Sequence, residues 1–286
     1  MRLRILAIAA AGALSASAAV AQGGIVCRPG EDSNEAQVMA IRAVPLAFSP
    51  ASAPRTLAQW RVEVGLEVAY LTDIDSATAV PTTCYPGKAA DNVNVLSVLP
   101  RPRVLVGLPG GFTFEGSWVP PIRVSGVKPN LFGLAVSRPL PVAGGKGVVN
   151  PRLHATLGEV HAPVTCPEEY LDDPGSACFG GTESDDRYQP NQYGVDVALA
   201  WPLGGGFTPY AGAGWEHIDP TFETNFTNAQ GDLDDTRVAA TLDRAVLFAG
   251  ATWWADAGFS LTGEIWAAPA DAATGRLTAR YAFGAQ

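Results

Sequence analysis

The chain has 286 residues, 47% hydrophobic and only 16% charged, with 31 glycines and a formal net charge of −9. An ordinary soluble domain carries about 25% charged residues, and an acidic balance argues against nucleic-acid partners, which require basic patches. Past the N-terminus no apolar run approaches the ~20 residues of a membrane helix, so the hydrophobic content is spread over shorter, alternating segments.

Arg2 and Arg4, an apolar run from Ile5 to Leu14, and Ala19-Val20-Ala21 before Gln22 open the chain. A positive start, a short apolar stretch and a small-x-small site read as a cleaved secretory signal over residues 1–21. Its removal leaves a charge of −11 (−9 − 2). Gly24-Ile25-Val26 ahead of Cys27 lacks the Leu-like residue of a lipoprotein signal. Residues 22–56 are expected to form an N-terminal periplasmic extension. Within it Gln37 to Phe48 suits a short amphipathic helix or an extra strand, and Pro45, Pro50 and Pro54 interrupt the rest.

From Leu57 to Leu71 the period is two. Trp60, Val62, Val64, Leu66, Val68 and Tyr70 fall on one face, and Arg61, Glu63, Gly65, Glu67 and Ala69 on the other. Aromatics at both ends of an aliphatic row, with charges behind it, describe a membrane-crossing strand with lipid on one side and a wet lumen on the other. A polar loop over 72–100 follows. Next come Arg101–Leu108 with Arg103 inward, the turn Pro109-Gly110-Gly111, and Phe112–Val119 with Phe112 and Trp118 outward and Glu115 inward.

Asn130–Arg138 returns, and Val148–Val160 places Asn150, Arg152, His154 and Thr156 inward. After a Gly/Pro/Asp-rich loop over about 162–189, Gln192–Trp201 sets Tyr193 and Trp201 outward and Asp196 inward. Phe207–Ile218 sets Phe207 and Trp215 against Glu216. Val238–Trp254 has ambiguous faces. Phe259–Ala267 sets Phe259 against Glu264, and Arg276–Phe283 sets Tyr281 and Phe283 against Arg280. These are about ten strands, with eight or twelve as alternatives, joined alternately by short Gly/Pro turns and mostly longer polar loops. The expected fold is an all-β, antiparallel up-and-down transmembrane β-barrel over residues 57–286, with both chain ends in the periplasm.

Four cysteines in an exported chain suggest disulfides. Three pairings are possible. Cys166 with Cys178 inside one loop, leaving Cys27 with Cys84, is favoured. With no CxxC and no His/Cys cluster, neither metal nor cofactor is expected. The acidic loop residues Asp172-Asp173, Glu183, Asp185-Asp186, Asp232 and Asp234-Asp235 are consistent with Ca²⁺ or lipopolysaccharide bridging, but solvated loops are the simpler reading.

Thr208-Pro-Tyr-Ala-Gly-Ala-Gly-Trp-Glu216, Leu108-Pro-Gly-Gly-Phe-Thr-Phe-Glu115 and the terminal Arg280-Tyr281-Ala282-Phe283 resemble segments of small bacterial outer-membrane barrels, including the outer-membrane protein A family. The likeness covers about residues 57–283. It implies residence in the outer membrane of a Gram-negative-type bacterium, contact with outer-membrane lipid and lipopolysaccharide, and assembly by the barrel-assembly machinery. Relatives usually end on the aromatic itself, whereas Gly284-Ala285-Gln286 follows here.

Two enzyme resemblances are weaker. Lipid-A deacylase barrels use a His-x-Ser signature, for which His154-Ala155-Thr156 is the nearest match. Omptin-like proteases use paired carboxylates with an Asp-His pair, and the acid pairs here lie in loops without a matching Asp-His. A non-enzyme is the expectation. The inward row Arg61, Glu63, Glu67, Arg103, Glu115, Arg152, His154, Asp196, Glu216, Glu264 and Arg280 reads as a salt-bridged, mostly plugged lumen. The expected role is structural or adhesive for a monomer whose loops meet an extracellular ligand. The alternatives are a narrow porin-like channel or carrier of small or hydrophobic solutes, and a lipid- or peptide-hydrolysing enzyme.

Overall fold

Ten antiparallel strands close on themselves. The computed structural model describes residues 26–85, 90–255 and 258–283, so the expected signal segment lies outside the described residues. The wall consists of β1 (Val62–Tyr70), β2 (Val98–Gly107), β3 (Thr113–Val119), β4 (Lys128–Ser137), β5 (Gly147–Ala162), β6 (Gln192–Ala200), β7 (Phe207–Ile218), β8 (Leu242–Trp254), β9 (Phe259–Ala268) and β10 (Ala272–Phe283). Each pairs with its successor, and β10 returns to β1 in the register Phe283↔Val62 to Arg276↔Ala69. Closure leaves no sheet edge, the condition for a sheet to sit in lipid. Short turns occupy one end of the barrel, and the long connections 71–97, 163–191 and 219–241 crown the other.

The outward face is the apolar one. Val64, Leu66, Val68, Val104, Leu134, Leu153, Val195, Val197, Leu247 and Leu277 are exposed on the wall, bounded by aromatics. Tyr70, Trp118, Tyr193 and Trp215 stand toward the loop end, and Phe112, Trp201, Phe207, Phe259, Tyr281 and Phe283 toward the turn end, all exposed. An aliphatic band between aromatic belts is the outer surface of an outer-membrane β-barrel. Trp60 departs from expectation. β1 begins only at Val62, and Trp60, with φ of 63°, lies in the turn that leads into it, 64% exposed.

β3 is the shortest wall strand. Its ladder with β2 runs only from Gly107↔Thr113 to Arg103↔Ser117. Beyond that point β2 carries Pro100 and Pro102, which have no N–H to donate, and it pairs there only with β1 among the described residues. The barrel wall is therefore lowest at β3, on the loop side.

The N-terminal segment, expected as a periplasmic extension, packs inside the barrel. Helix α1 (Asn34–Leu46) begins at Ser33, whose hydroxyl caps it by accepting from the Ala36 amide at 3.2 Å. It sits under the long loops, and residues 47–57 then descend through the lumen to the turn end. Ala36, Ala40, Ala43, Ala47, Phe48, Ser49 and Ala51 have no exposed surface. This internal passage is an extra crossing, so the first described residues lie at the loop end although the wall has an even number of strands. It also accounts for the ambiguous faces of β8. There the inward side chains Val246 and Phe248 are apolar because they pack on Val44, Ala47 and Ala53 of the plug.

Short strands above the wall continue the sheet from β5. Asp186–Gln189, Thr221–Glu223 and Arg237–Ala239 pair antiparallel in sequence, and Val26–Cys27 adds a parallel edge to the last. Disulfides Cys27–Cys84 and Cys166–Cys178 fasten this platform.

Candidate functional site

The lumen holds a peptide in a cage of charge. An irregular segment inside a protein must have its backbone groups paired, and residues 43–53 show how. The last carbonyls of α1 carry the negative end of its dipole and have at most the Ala47 amide as a local partner, which donates to Ala43 and Val44. Gln192 donates to the Ala43 carbonyl at 3.1 Å, Arg276 to Val44 at 3.0 Å and to Ala47 at 2.8 Å. Arg101 donates to Leu46 at 2.8 Å and to Ala47 at 3.0 Å, and the Thr156 hydroxyl to Leu46 at 3.0 Å. Lower down, Arg152 reaches Phe48 and Ser49, Arg103 reaches Ser49 at 2.9 Å, and Arg280 reaches Pro50 at 3.0 Å. The plug's amides donate in turn, Ala51 to Glu264 at 3.0 Å and Ala53 to the Thr252 hydroxyl at 2.7 Å.

Four of the arginines, Arg101, Arg103, Arg152 and Arg280, also meet the wall's own acids. Glu67 lies between Arg103 and Arg101, the latter at 3.8 Å. One Glu115 oxygen accepts from Arg103 at 2.8 Å and from Arg280 at 3.1 Å, and Asp196 accepts from Arg152 at 2.8 Å. A guanidinium has five donors spread over three nitrogens in a planar fork, so it can bridge a wall carboxylate and a plug carbonyl at once from separate nitrogens, where a lysine has a single nitrogen with three donors. Such bridging is what makes buried charge tolerable. The Phe48 ring occupies the middle of the cage, 4.2 Å from the Arg103 guanidinium, 5.3 Å from that of Arg152 and 5.7 Å from that of Arg101.

Of the inward row expected from sequence, Glu63, Glu67, Arg103, Glu115, Arg152, His154, Asp196, Glu216, Glu264 and Arg280 are buried in the lumen. Glu63 closes the turn end by pairing with Arg55. His154 lies 3.3 Å from Asp196 and 3.7 Å from Glu216, edge-on to Trp266. Arg61 stands apart, half-buried just before β1. Sequence reasoning missed Arg101 and Arg276, although each shares the inward parity of a residue it did identify, Arg103 and Arg280. Tyr210 shares the inward parity of Glu216 but was given no role from sequence, and its hydroxyl donates to Glu264 at 2.7 Å.

The enzyme-like constellations fare as follows. His154 and Thr156 face the plug, not lipid. Of the acid pairs only Asp185-Asp186 acquires a histidine neighbour among the described residues, contrary to expectation: His161 lies 3.2 Å from Asp185 and 3.4 Å from Glu159. His217, at the outer aromatic belt, lies 2.8 Å from Asp243 and 3.2 Å from Asp219. Among the described residues no group of three or more His, Cys, Asp or Glu side chains is placed to hold a metal ion.

No family model and no curated protein matches this sequence. Among solved structures, the chain is similar to Ail, the attachment invasion locus protein of Yersinia pestis, at 10% identity over 79% of this chain and 100% of that one, with a TM-score of 0.34. It is similar to the N-terminal β-barrel domain of Pseudomonas aeruginosa OprF at 11% identity, over 79% and 100%, with a TM-score of 0.30. It is also similar to the P. putida toluene transporter TodX at 13% identity, over 92% and 73%, with a TM-score of 0.33.

Proposed function

We propose that this outer-membrane barrel is closed to ions and works at the cell surface, through the platform that its loops and α1 build. The observation that carries this reading is the arginine cage. Arg101, Arg103, Arg152, Arg276 and Arg280 bind the backbone of residues 44–50 and so fill the space an aqueous path would need. A ten-strand barrel has little bore even before it is filled. The platform has the stiffness that a binding surface requires. Two disulfides fasten it, and Glu223 joins neighbouring strands by pairing with Arg187 and, at 2.7 Å, with Arg237.

Full-length protein in planar bilayers tests the reading. A silent membrane across the voltage range is the expected result. Discrete openings whose conductance scales with salt would overturn it and favour the narrow channel.

A further inference from the structure

Directly above the plug, between α1 and the loops, the fold leaves a cavity of about 140 Å³. We infer that this cavity is a binding site for a small, uncharged, apolar molecule. The inference deepens the surface-binding reading and rests on it, since it assigns the platform a ligand.

Size is the first argument. A dry cavity of about 150 Å³ lined by aliphatic side chains accommodates benzene. Lining is the second. Met39 and Leu46 come from α1, Leu71 and Leu99 from the rims of β1 and β2, and Val127 and Val160 from the β4 and β5 side. Side chains from separate elements thus converge on a space they do not fill, and the contacts they forgo are available to a ligand. These lining groups are branched or flexible hydrophobes, the composition of a small-molecule pocket.

Charge selects the class. Among the described residues the acids that border the cavity, Glu35, Asp91 and Asp186, outnumber the one lining arginine, Arg42. Most of these polar groups are already engaged by the protein. Glu35 accepts from the amides of Thr83 at 2.8 Å and Cys84 at 2.7 Å. Asp186 accepts from the amides of Val164, Thr165 and Asn225 and from the Ser184 hydroxyl. Arg42 donates to the Thr72 carbonyl at 2.9 Å and to Asn94, and the Tyr188 hydroxyl donates to the Met39 carbonyl at 2.8 Å. A ligand carboxylate would meet net negative charge and a guanidinium already in use, so an anionic head is disfavoured. The low wall at β3 lies between the rims that supply Leu99 and Val127.

The test uses the full chain in detergent, with benzene and benzoate as matched probes. Benzene should raise the unfolding midpoint, as any ligand of the folded state does, and benzoate should not. Val160→Phe and Ala79→Leu fill the cavity from β5 and from the 71–97 connection, and each should weaken benzene binding about tenfold or more while keeping the barrel closed in bilayers. If one variant fails to fold, the other still decides the matter. Equal benzene shifts in parent and filled variants would assign the effect to the detergent and overturn the site, and benzoate binding as tight as benzene would overturn the ligand class. Conductance is recorded separately, so an open pore refutes the closed-barrel reading without deciding the site, and absent benzene binding by a silent barrel refutes only the site.

Discussion

Phe48→Ala should open the lumen without unfolding the wall. The ring has no exposed surface and sits among the guanidiniums of Arg101, Arg103 and Arg152. Truncating a buried phenylalanine costs ~3–5 kcal/mol, to which desolvated cation–π contacts of up to ~2 kcal/mol contribute. That loss falls on the seated plug, because an unseated Phe48 is already in water. At about 1.4 kcal/mol per factor of ten, even ~3 kcal/mol moves the seated-to-unseated ratio about 100-fold. Planar-bilayer recordings and heat-modifiable gel mobility, taken on one preparation, read the two parts separately. The variant should show openings that the parent lacks, with mobility unchanged. A variant as silent as the parent with normal mobility would refute the idea that the plug holds the bore closed. Loss of mobility together with closure would show that plug and wall fold as one unit.

Gly133→Ala acts on the same contact from the wall side, since a Cβ there would stand 2.6 Å from the Phe48 ring and 2.5 Å from the Ser117 hydroxyl. Overpacking of this kind costs ~1–3 kcal/mol, and conductance of the double variant should show that the cost shrinks in the Phe48→Ala background. The loop platform should loosen in acid. Burial pushes the Glu35 and Glu223 carboxyls up, but the Cys84 and Thr83 amides for Glu35, and Arg187 and Arg237 for Glu223, outweigh it and hold both below the ordinary 4.5. A depressed carboxyl gives stability that is complete above its unfolded value and is lost as pH falls through the folded one. Limited proteolysis of the loops should therefore accelerate below about pH 4, and Glu223→Gln should remove part of that dependence. Replacing Cys27 and Cys84 by serine opens a link between residues 57 apart in sequence, worth about 4 kcal/mol in the chain-entropy model. Protease should then cut near residues 26–33 while gel mobility is kept, and unchanged resistance would show that the strand Val26–Cys27 needs no tether.

The wall was legible because lipid and lumen impose opposite chemistry on alternate residues. Wherever one face is apolar and the other charged, as in β1 with Leu66 and Glu67, a period of two identifies both strand and side. The same logic fails where the lumen is itself apolar. On β8 the inward Val246 and Phe248 resemble the outward Leu247, because the plug they touch is apolar too. The plug was illegible for a different reason. Residues 47–57 have no period, and their partners are side chains on β2, β5, β8, β9 and β10, so nothing local marks them as interior. The platform strands, two to four residues long, are too short for any period to show. Arg101 and Arg276 needed only the parity already in hand.

Wall and plug are held by different kinds of bond, and this is why one can be disturbed without the other. Every wall strand is hydrogen-bonded backbone to backbone with its two neighbours, closing at Phe283↔Val62. Among the described residues no backbone–backbone bond joins residues 34–57 to a wall strand; the plug is held by side chains. Withdrawing it would leave the ladder intact and would not strand Arg101, Arg103, Arg152 and Arg280, because Glu67, Glu115 and Asp196 already pair with them along the wall. Their remaining donors would turn to water, which a charged bore admits readily. The cage is thus complete enough to survive empty and specific enough to be filled. The charges of the wall pair with each other first, and only their surplus hydrogen-bonding capacity reads the backbone of the plug.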